Sequence, residues 1–182
     1  MIAPHQVYGE RDQLFVPNFL RTGRAGKLFI FGDGSSIVSL THCDNVCWAL
    51  ILAATALRDE CYREQIAGQF YFVTDDVTEN IWDLMDGALR EYDSNITPII
   101  DRMHLNVLFL YLIAYIGAVY TWITGKFVKL TPFTVRMLTM NRYFKITKIK
   151  KELGYRPLVP FEKGWDAMVK SIVERMKREQ LK

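Results

Sequence analysis

Residues 69–74 read Gln-Phe-Tyr-Phe-Val-Thr, an aromatic and β-branched run that predicts a strand. Apolar positions at helical spacing lie on both sides of it. Before it, Val46, Cys47, Leu50, Ile51, Ala54 and Leu57 predict a helix capped by Asp44 and packed on a sheet. After it, Asp75, Asp76 and Thr78 lead into a helix with Ile81, Trp82, Met85, Leu89 and Tyr92 on one face, and the two aspartates read as capping residues. Upstream, residues 27–31 and 37–40 read as short strands on either side of Gly32-Asp33-Gly34, a hairpin-like unit. Toward the end, a short helix over residues 147–153 is stopped by Gly154, with Pro157 just beyond. A last helix follows Pro160. Its Trp165, Met168, Val169, Ile172, Val173 and Met176 form an apolar stripe for core packing, while Lys163, Asp166, Lys170, Glu174 and Lys177 face water. Strands alternating with helices predict an α/β fold.

One stretch breaks this pattern. Residues 105–124, LNVLFLYLIAYIGAVYTWIT, carry no charge; Arg102 precedes them and Lys126 and Lys129 follow. As a helix, twenty residues reach about 30 Å, the thickness of a bilayer core. Tyr111, Tyr115, Tyr120 and Trp122 suit the headgroup level. The segment predicts membrane contact, by spanning or by dipping in; the alternative is a buried helical hairpin interrupted near Gly117 and lining an apolar pocket. The chain thus divides into residues 1–101, an apolar segment at 102–130, and a C-terminal region at 131–182.

Composition narrows the function classes. Lys and Arg total 23 against 20 for Asp and Glu, a net charge of +3 spread along 182 residues, which provides no field for nucleic acid. Cys43, Cys47 and Cys61 are odd in number and fit a reducing environment. Residues 1–10 hold no secretory signal pattern.

The usual catalytic constellations are missing. Gly23-Arg24-Ala25-Gly26 and Gly32-Asp33-Gly34 lack the strand before and the helix after that a dinucleotide fingerprint requires, and read as turns. No Tyr is followed four residues later by Lys, the pair in which the amine lowers the phenol pKa for proton transfer. His42, Cys43 and Cys47 have no second cluster with which to build a metal site, and Cys47 fits the apolar helix face. His5, His42 and His104 lack the Ser and Asp of a hydrolase triad.

Four segments together resemble the C-terminal half of the extended short-chain dehydrogenases, specifically the 3β-hydroxysteroid dehydrogenase family and its relatives that act on sterol 4α-carboxylates. They are Ala3-Pro4-His5-Gln6-Val7-Tyr8-Gly9-Glu10, then Thr41-His42-Cys43-Asp44-Asn45-Val46 with the Trp48-Ala49-Leu50-Ile51-Leu52-Ala53 after it, then Gly68-Gln69-Phe70-Tyr71-Phe72-Val73-Thr74-Asp75-Asp76, and finally Leu153-Gly154-Tyr155-Arg156-Pro157-Leu158. They occur in the family's order, and its membrane-associated members also carry a long apolar stretch among these regions.

The resemblance implies an incomplete Rossmann fold with a substrate-binding lobe, and oxidation of a steroid or sterol 3β-hydroxyl with NAD or NADP. In some members double-bond isomerisation follows, in others loss of a 4-carboxyl group. It places the nicotinamide edge at Pro4, His5 and Gln6 and substrate contacts at Tyr8, Phe15 and Phe19. It further implies a membrane of the endoplasmic reticulum or mitochondrion, and a possible homo-oligomer of the full-length form. The family's Gly-rich fingerprint and its Tyr and Lys pair lie N-terminal to the region matched here, and Ala3 replaces the usual Arg before Pro4. The resemblance therefore predicts a fragment, or a missing half supplied elsewhere, that is inactive and poorly stable alone. Two other readings stay open: a non-catalytic sterol-binding or interaction module, and a different hydroxyl substrate.

Overall fold

The computed structural model describes residues 1–99 and 101–180, the last by its backbone. In chain order the strands are β1 (Ile2–Pro4), β2 (Val7–Tyr8), β3 (Ile30–Phe31), β4 (Ile37–Val38), β5 (Thr41–His42), β6 (Tyr71–Val73), β7 (Glu79–Asn80) and β8 (His104–Leu105). The helices are α1 (Phe15–Arg24), α2 (Cys43–Arg58), α3 (Glu60–Ile66), α4 (Ile81–Tyr92), α5 (Val107–Thr124), α6 (Pro132–Thr139), α7 (Thr147–Leu153) and α8 (Phe161–Gln180). Two compact units are interleaved along the chain. Unit 1 joins Met1–Pro17, Ser39–Glu79 and Tyr143–Lys182, and unit 2 joins Asn18–Val38 and Asn80–Arg142. The apolar segment is therefore part of a larger unit, not a block of its own.

In unit 1, β1 pairs in parallel with β6, Ile2 opposite Tyr71 and Pro4 opposite Val73, and β2 pairs in parallel with β5. Parallel neighbours need a crossover, and α2 with α3 leads from β5 to β6. Ala49, Ile66, Tyr71, Val73, Ile146, Ile149, Leu153 and Tyr155 form the core between these helices, β6 and α7. The stripe of α8 is buried as its spacing predicts, and Gly154, in the left-handed region at φ 64°, ends α7 where expected.

Helix α2 differs from its prediction in two respects. Its cap is His42, whose ring accepts a hydrogen bond from the Asp44 amide, so Asp44 sits in the first turn. Its inward face carries Asn45 and Ala49, while Cys47 is exposed and Leu50 and Ile51 are more than half exposed. The helix is apolar nearly all round, so periodicity could not choose a face; the hydrogen bonds of Asn45 chose it.

In unit 2, β3 pairs in parallel with β8, Ile30 opposite His104 and Phe31 opposite Leu105. The expected hairpin with residues 37–40 does not form. Gly32 and Gly34, both at positive φ, turn the chain aside, and Val38 bridges Arg142 instead. The face of α4 is buried as predicted, but Asn80 caps it, accepting from the Trp82 and Asp83 amides, so neither Asp75 nor Asp76 is its cap.

Candidate functional site

In a parallel sheet ligands bind beyond the carboxyl ends of the strands. Beyond β1 lie His5 and Gln6, and beyond β6 lie Thr74, Asp75 and Asp76. Gln6 is left-handed at φ 42°, a conformation that surrounding contacts must hold in a residue with a Cβ. They do so on both sides. The His5 amide donates to Val73 O at 3.3 Å and the Thr41 amide to Gln6 O at 3.3 Å. Thr41 Oγ1 lies 2.7 Å from His5 O and 2.9 Å from Val73 O, its one proton shared between two carbonyls. His5 Nδ1 lies 2.7 Å from Ser39 O, and because a carbonyl only accepts, this contact places a proton on Nδ1. The edge from Pro4 to Gln6 is thus a backbone surface fixed from below.

Tyr8, His42 and Asp75, which follow these residues in the chain, belong to a buried polar knot. Asp75, 4% exposed, accepts from the Tyr8 hydroxyl at 2.7 Å, the His42 amide at 2.9 Å and Asn45 Nδ2 at 2.7 Å. Asn45 Oδ1 accepts from the Leu158 and Val159 amides at 2.8 and 2.9 Å, and its Nδ2 also donates to Val159 O. The Tyr155 hydroxyl donates to Thr74 O at 3.1 Å. Three of the segments that carry the resemblance therefore meet at the Asp75 carboxylate, and the fourth joins them through Asn45 and Thr74. Helix α8 closes over them at Gly164, where an added Cβ would stand 2.9 Å from His42 Cδ2 and 3.0 Å from the Tyr8 oxygen.

The electrostatics fit a structural role for this knot. Burial, reinforced by Asp75, raises the Tyr8 phenol above its ordinary range, and burial with Asp75 and Asp76 raises Tyr155. Tyr71 is pushed up to about 12 by burial and by its 2.6 Å bond to Glu152. All three stay protonated donors at neutral pH. Asp76, left-handed at φ 63°, pairs with Lys150.

Of the residues expected to contact substrate, Tyr8 is 2% exposed, ringed by His42, Phe161 and Trp165, and its hydroxyl is engaged by Asp75. Tyr8 is thereby part of the knot. Phe15 opens α1 and Phe19 follows one turn later; both are half-buried, and the Phe19 ring lies 6.2 Å from Trp82. Sequence reasoning missed Thr41, Asn45 and Gly164. A polar residue on an otherwise apolar helix was the available signal for Asn45. The ligand atoms of His42, Cys43 and Asp44 lie within 4.8 Å of one another. However, His42 Nδ1 already accepts from the Asp44 amide at 3.3 Å, and the trio sits at a helix N-terminus, whose dipole disfavours a cation. Cys47, expected in the core, is exposed beside them.

Parallel strands linked by crossover helices, with a ligand edge at their carboxyl ends, define a Rossmann-like α/β fold. The solved dTDP-glucose 4,6-dehydratase DesIV from Streptomyces venezuelae, with NAD and TYD bound, shares it with a TM-score of 0.61 and 21% identity, over 100% of this chain and 46% of that one. Over residues 1–101 the sequence matches the 3-beta hydroxysteroid dehydrogenase/isomerase family, and the chain belongs to that family. The 3beta-hydroxysteroid-dehydrogenase/decarboxylase isoform 1 of Arabidopsis thaliana is 34% identical over 171 residues, covering 90% of this chain and 38% of that protein. The decarboxylating sterol-4-alpha-carboxylate 3-dehydrogenase of Saccharomyces cerevisiae is 31% identical over 167 residues, covering 90% and 46%. The chain spans less than half the length of these curated relatives.

Proposed function

We propose that this chain forms the substrate-side part of an NAD(P)-dependent oxidoreductase that converts the 3β-hydroxyl of a sterol to a ketone, with 4-carboxysterols as the preferred class. The observation that carries the reading is the linking of the four family segments through Asp75 and Asn45, beside an edge from Pro4 to Gln6 that Thr41 and Val73 hold at the carboxyl ends of parallel strands. The relatives named for sterol 4-carboxylates favour the substrate class.

In this reading Pro4, His5 and Gln6 present backbone to the nicotinamide, and Thr41 positions them. Phe15 and Phe19 cover the sterol rings by burial of apolar area. NAD(P), when bound, would supply the hydride acceptor for the carbinol carbon, and the hydroxyl proton would leave to a Tyr and Lys pair that these residues do not include. A 4-carboxylate sits β to the new ketone, where loss of carbon dioxide is chemically accessible. The exposed apolar surface of α5 supports residence at a membrane, of the endoplasmic reticulum or the mitochondrion.

The test is reduction of NAD or NADP by the native protein containing residues 1–182 with whatever subunits co-purify, extracted in detergent and supplied with a 4-carboxy-3β-hydroxysterol. Ketone formation with equimolar reduced cofactor is expected. A protein that binds cofactor and sterol yet forms no ketone would refute the proposal and leave a sterol-binding module.

A further inference from the structure

Within unit 2, residues 107–139 run out and back. Among the described residues α5 is the one helix long and apolar enough to cross a membrane, yet its neighbours are the chain that follows it. It ends at Gly125 in the left-handed region, and Val128 and Leu130 return along it. A Cβ added at Gly117 would lie 3.2 Å from Val128 Cγ1 and 3.6 Å from Leu130 O. Then α6 sets Val135 against Leu110 and Ala114. Finally Thr139 comes back to where α5 began: a Cβ added at Gly32 would meet Val107 Cγ2 at 3.1 Å and Thr139 Cγ2 at 3.9 Å. Late residues pair with early ones in sequence, which defines an antiparallel hairpin whose two ends share one glycine.

Both flanks are tied to the same short stretch. His104 and Leu105 pair with Ile30 and Phe31, and the Arg142 amide donates to Ile37 O at 2.7 Å. A crossing helix would put its two flanks about 30 Å apart on opposite sides of the hydrocarbon. Here the flanks meet, and the returning residues 125–131 are non-helical.

The outward half of α5 is apolar from end to end. Leu108 is 79% exposed and Trp122 86%, and Leu112, Ile116, Val119 and Ile123 lie on the same side. Phe127 and Phe133 extend this surface beyond the helix. A continuous apolar face about 27 Å long is not left to water. Tyr115, Tyr120 and Trp122 on the face, and Lys126 and Lys129 just past it, are the side chains that suit the headgroup zone of an anionic bilayer.

We propose that α5 with Phe127 and Phe133 inserts into a single leaflet, so that the chain enters and leaves the bilayer on the same side. This rests on the membrane residence proposed above and is independent of sterol oxidation.

The test uses the full chain with Cys43, Cys47 and Cys61 changed to serine and one cysteine introduced by Met103→Cys, Lys126→Cys or Met140→Cys. Sealed membranes from expressing cells are treated with an impermeant maleimide before and after detergent. The expected result is the same sidedness at all three positions. Protection of any one of them until detergent is added, with the others open, would overturn the single-leaflet attachment while leaving membrane residence intact. Recovery of the chain in the soluble fraction as a dimer would assign the face to a second copy and overturn both. Ile116→Lys should weaken binding to vesicles of phosphatidylcholine and phosphatidylserine by roughly tenfold or more; unchanged binding would also overturn the proposal.

Discussion

Unit 1 buries charge and hydrogen-bonding groups while unit 2 exposes its most hydrophobic helix. Asp75 and Asn45 lie in the interior of the first, whereas Leu108 and Trp122 lie on the outside of the second. The difference shows that polarity alone does not assign a side chain to core or surface. A buried polar group is stable where every donor finds an acceptor, and an apolar face outside is stable where the surroundings are not water. Asp75 meets the first condition with three donors, Tyr8 from one segment and His42 and Asn45 from another. The outer face of α5 points to the second.

Four changes would break or sharpen this contrast. Asp75→Ala removes the shared acceptor and strands the Tyr8 hydroxyl, the His42 amide and Asn45 Nδ2; a loss of about 3–5 kcal/mol is expected in urea unfolding, with Asp75→Asn milder. Gly164→Val drives a branched side chain into His42 and Tyr8, for a loss of about 1–3 kcal/mol by the same measurement. Asn80→Ala, which uncaps α4, should lower stability by about 1 kcal/mol, read in unit 2 by loss of amide exchange protection in α4. Leu112→Gln, on the outer face of α5, should lower stability in detergent by at most about 0.5 kcal/mol, because Leu112 is 58% exposed among the described residues. A large effect there would place a packing partner on α5 and erase the contrast.

Alkaline titration probes the buried donors of unit 1. Tyr71 holds its proton to about 12 in the folded chain, against about 10 for an exposed phenol. The folded form therefore binds more protons than the unfolded one as the pH climbs from about 10, so its contribution to stability is whole below that pH and declines toward 12. Absorbance of phenolate should show Tyr71 ionising after the exposed tyrosines, and Tyr71→Phe should remove that late step.

Much of unit 1 was legible residue by residue. The strand at β6, the stop at Gly154 and the stripe of α8 follow from propensity, a left-handed glycine and helical spacing, all of which act over a few residues. The face of α2 was not legible, because an all-apolar helix offers no preferred side. Asp75 and Asp76 looked like caps because any carboxylate ahead of a helix satisfies that local rule, and nothing local shows that Tyr8 and Asn45 compete for one of them. In unit 2 the pairing of β3 with β8 was hidden for a related reason: its partner lies across the intervening α4, while residues 37–40 stood nearby as a plausible but unused mate.

By itself the sequence determined the strand at β6 and the helices α2, α4, α7 and α8, that the chain carries the segments of its family in order, and that one stretch is too apolar for water. Those outcomes depend on interactions within a turn or two. Only the tertiary structure decided that four distant segments are joined through Asp75 and Asn45, that Tyr8 is enclosed, and that the chain after α5 returns to the glycine beside which that helix begins. Such outcomes depend on which remote partners compete for the same donor, acceptor or surface, and that competition is resolved when the chain is folded.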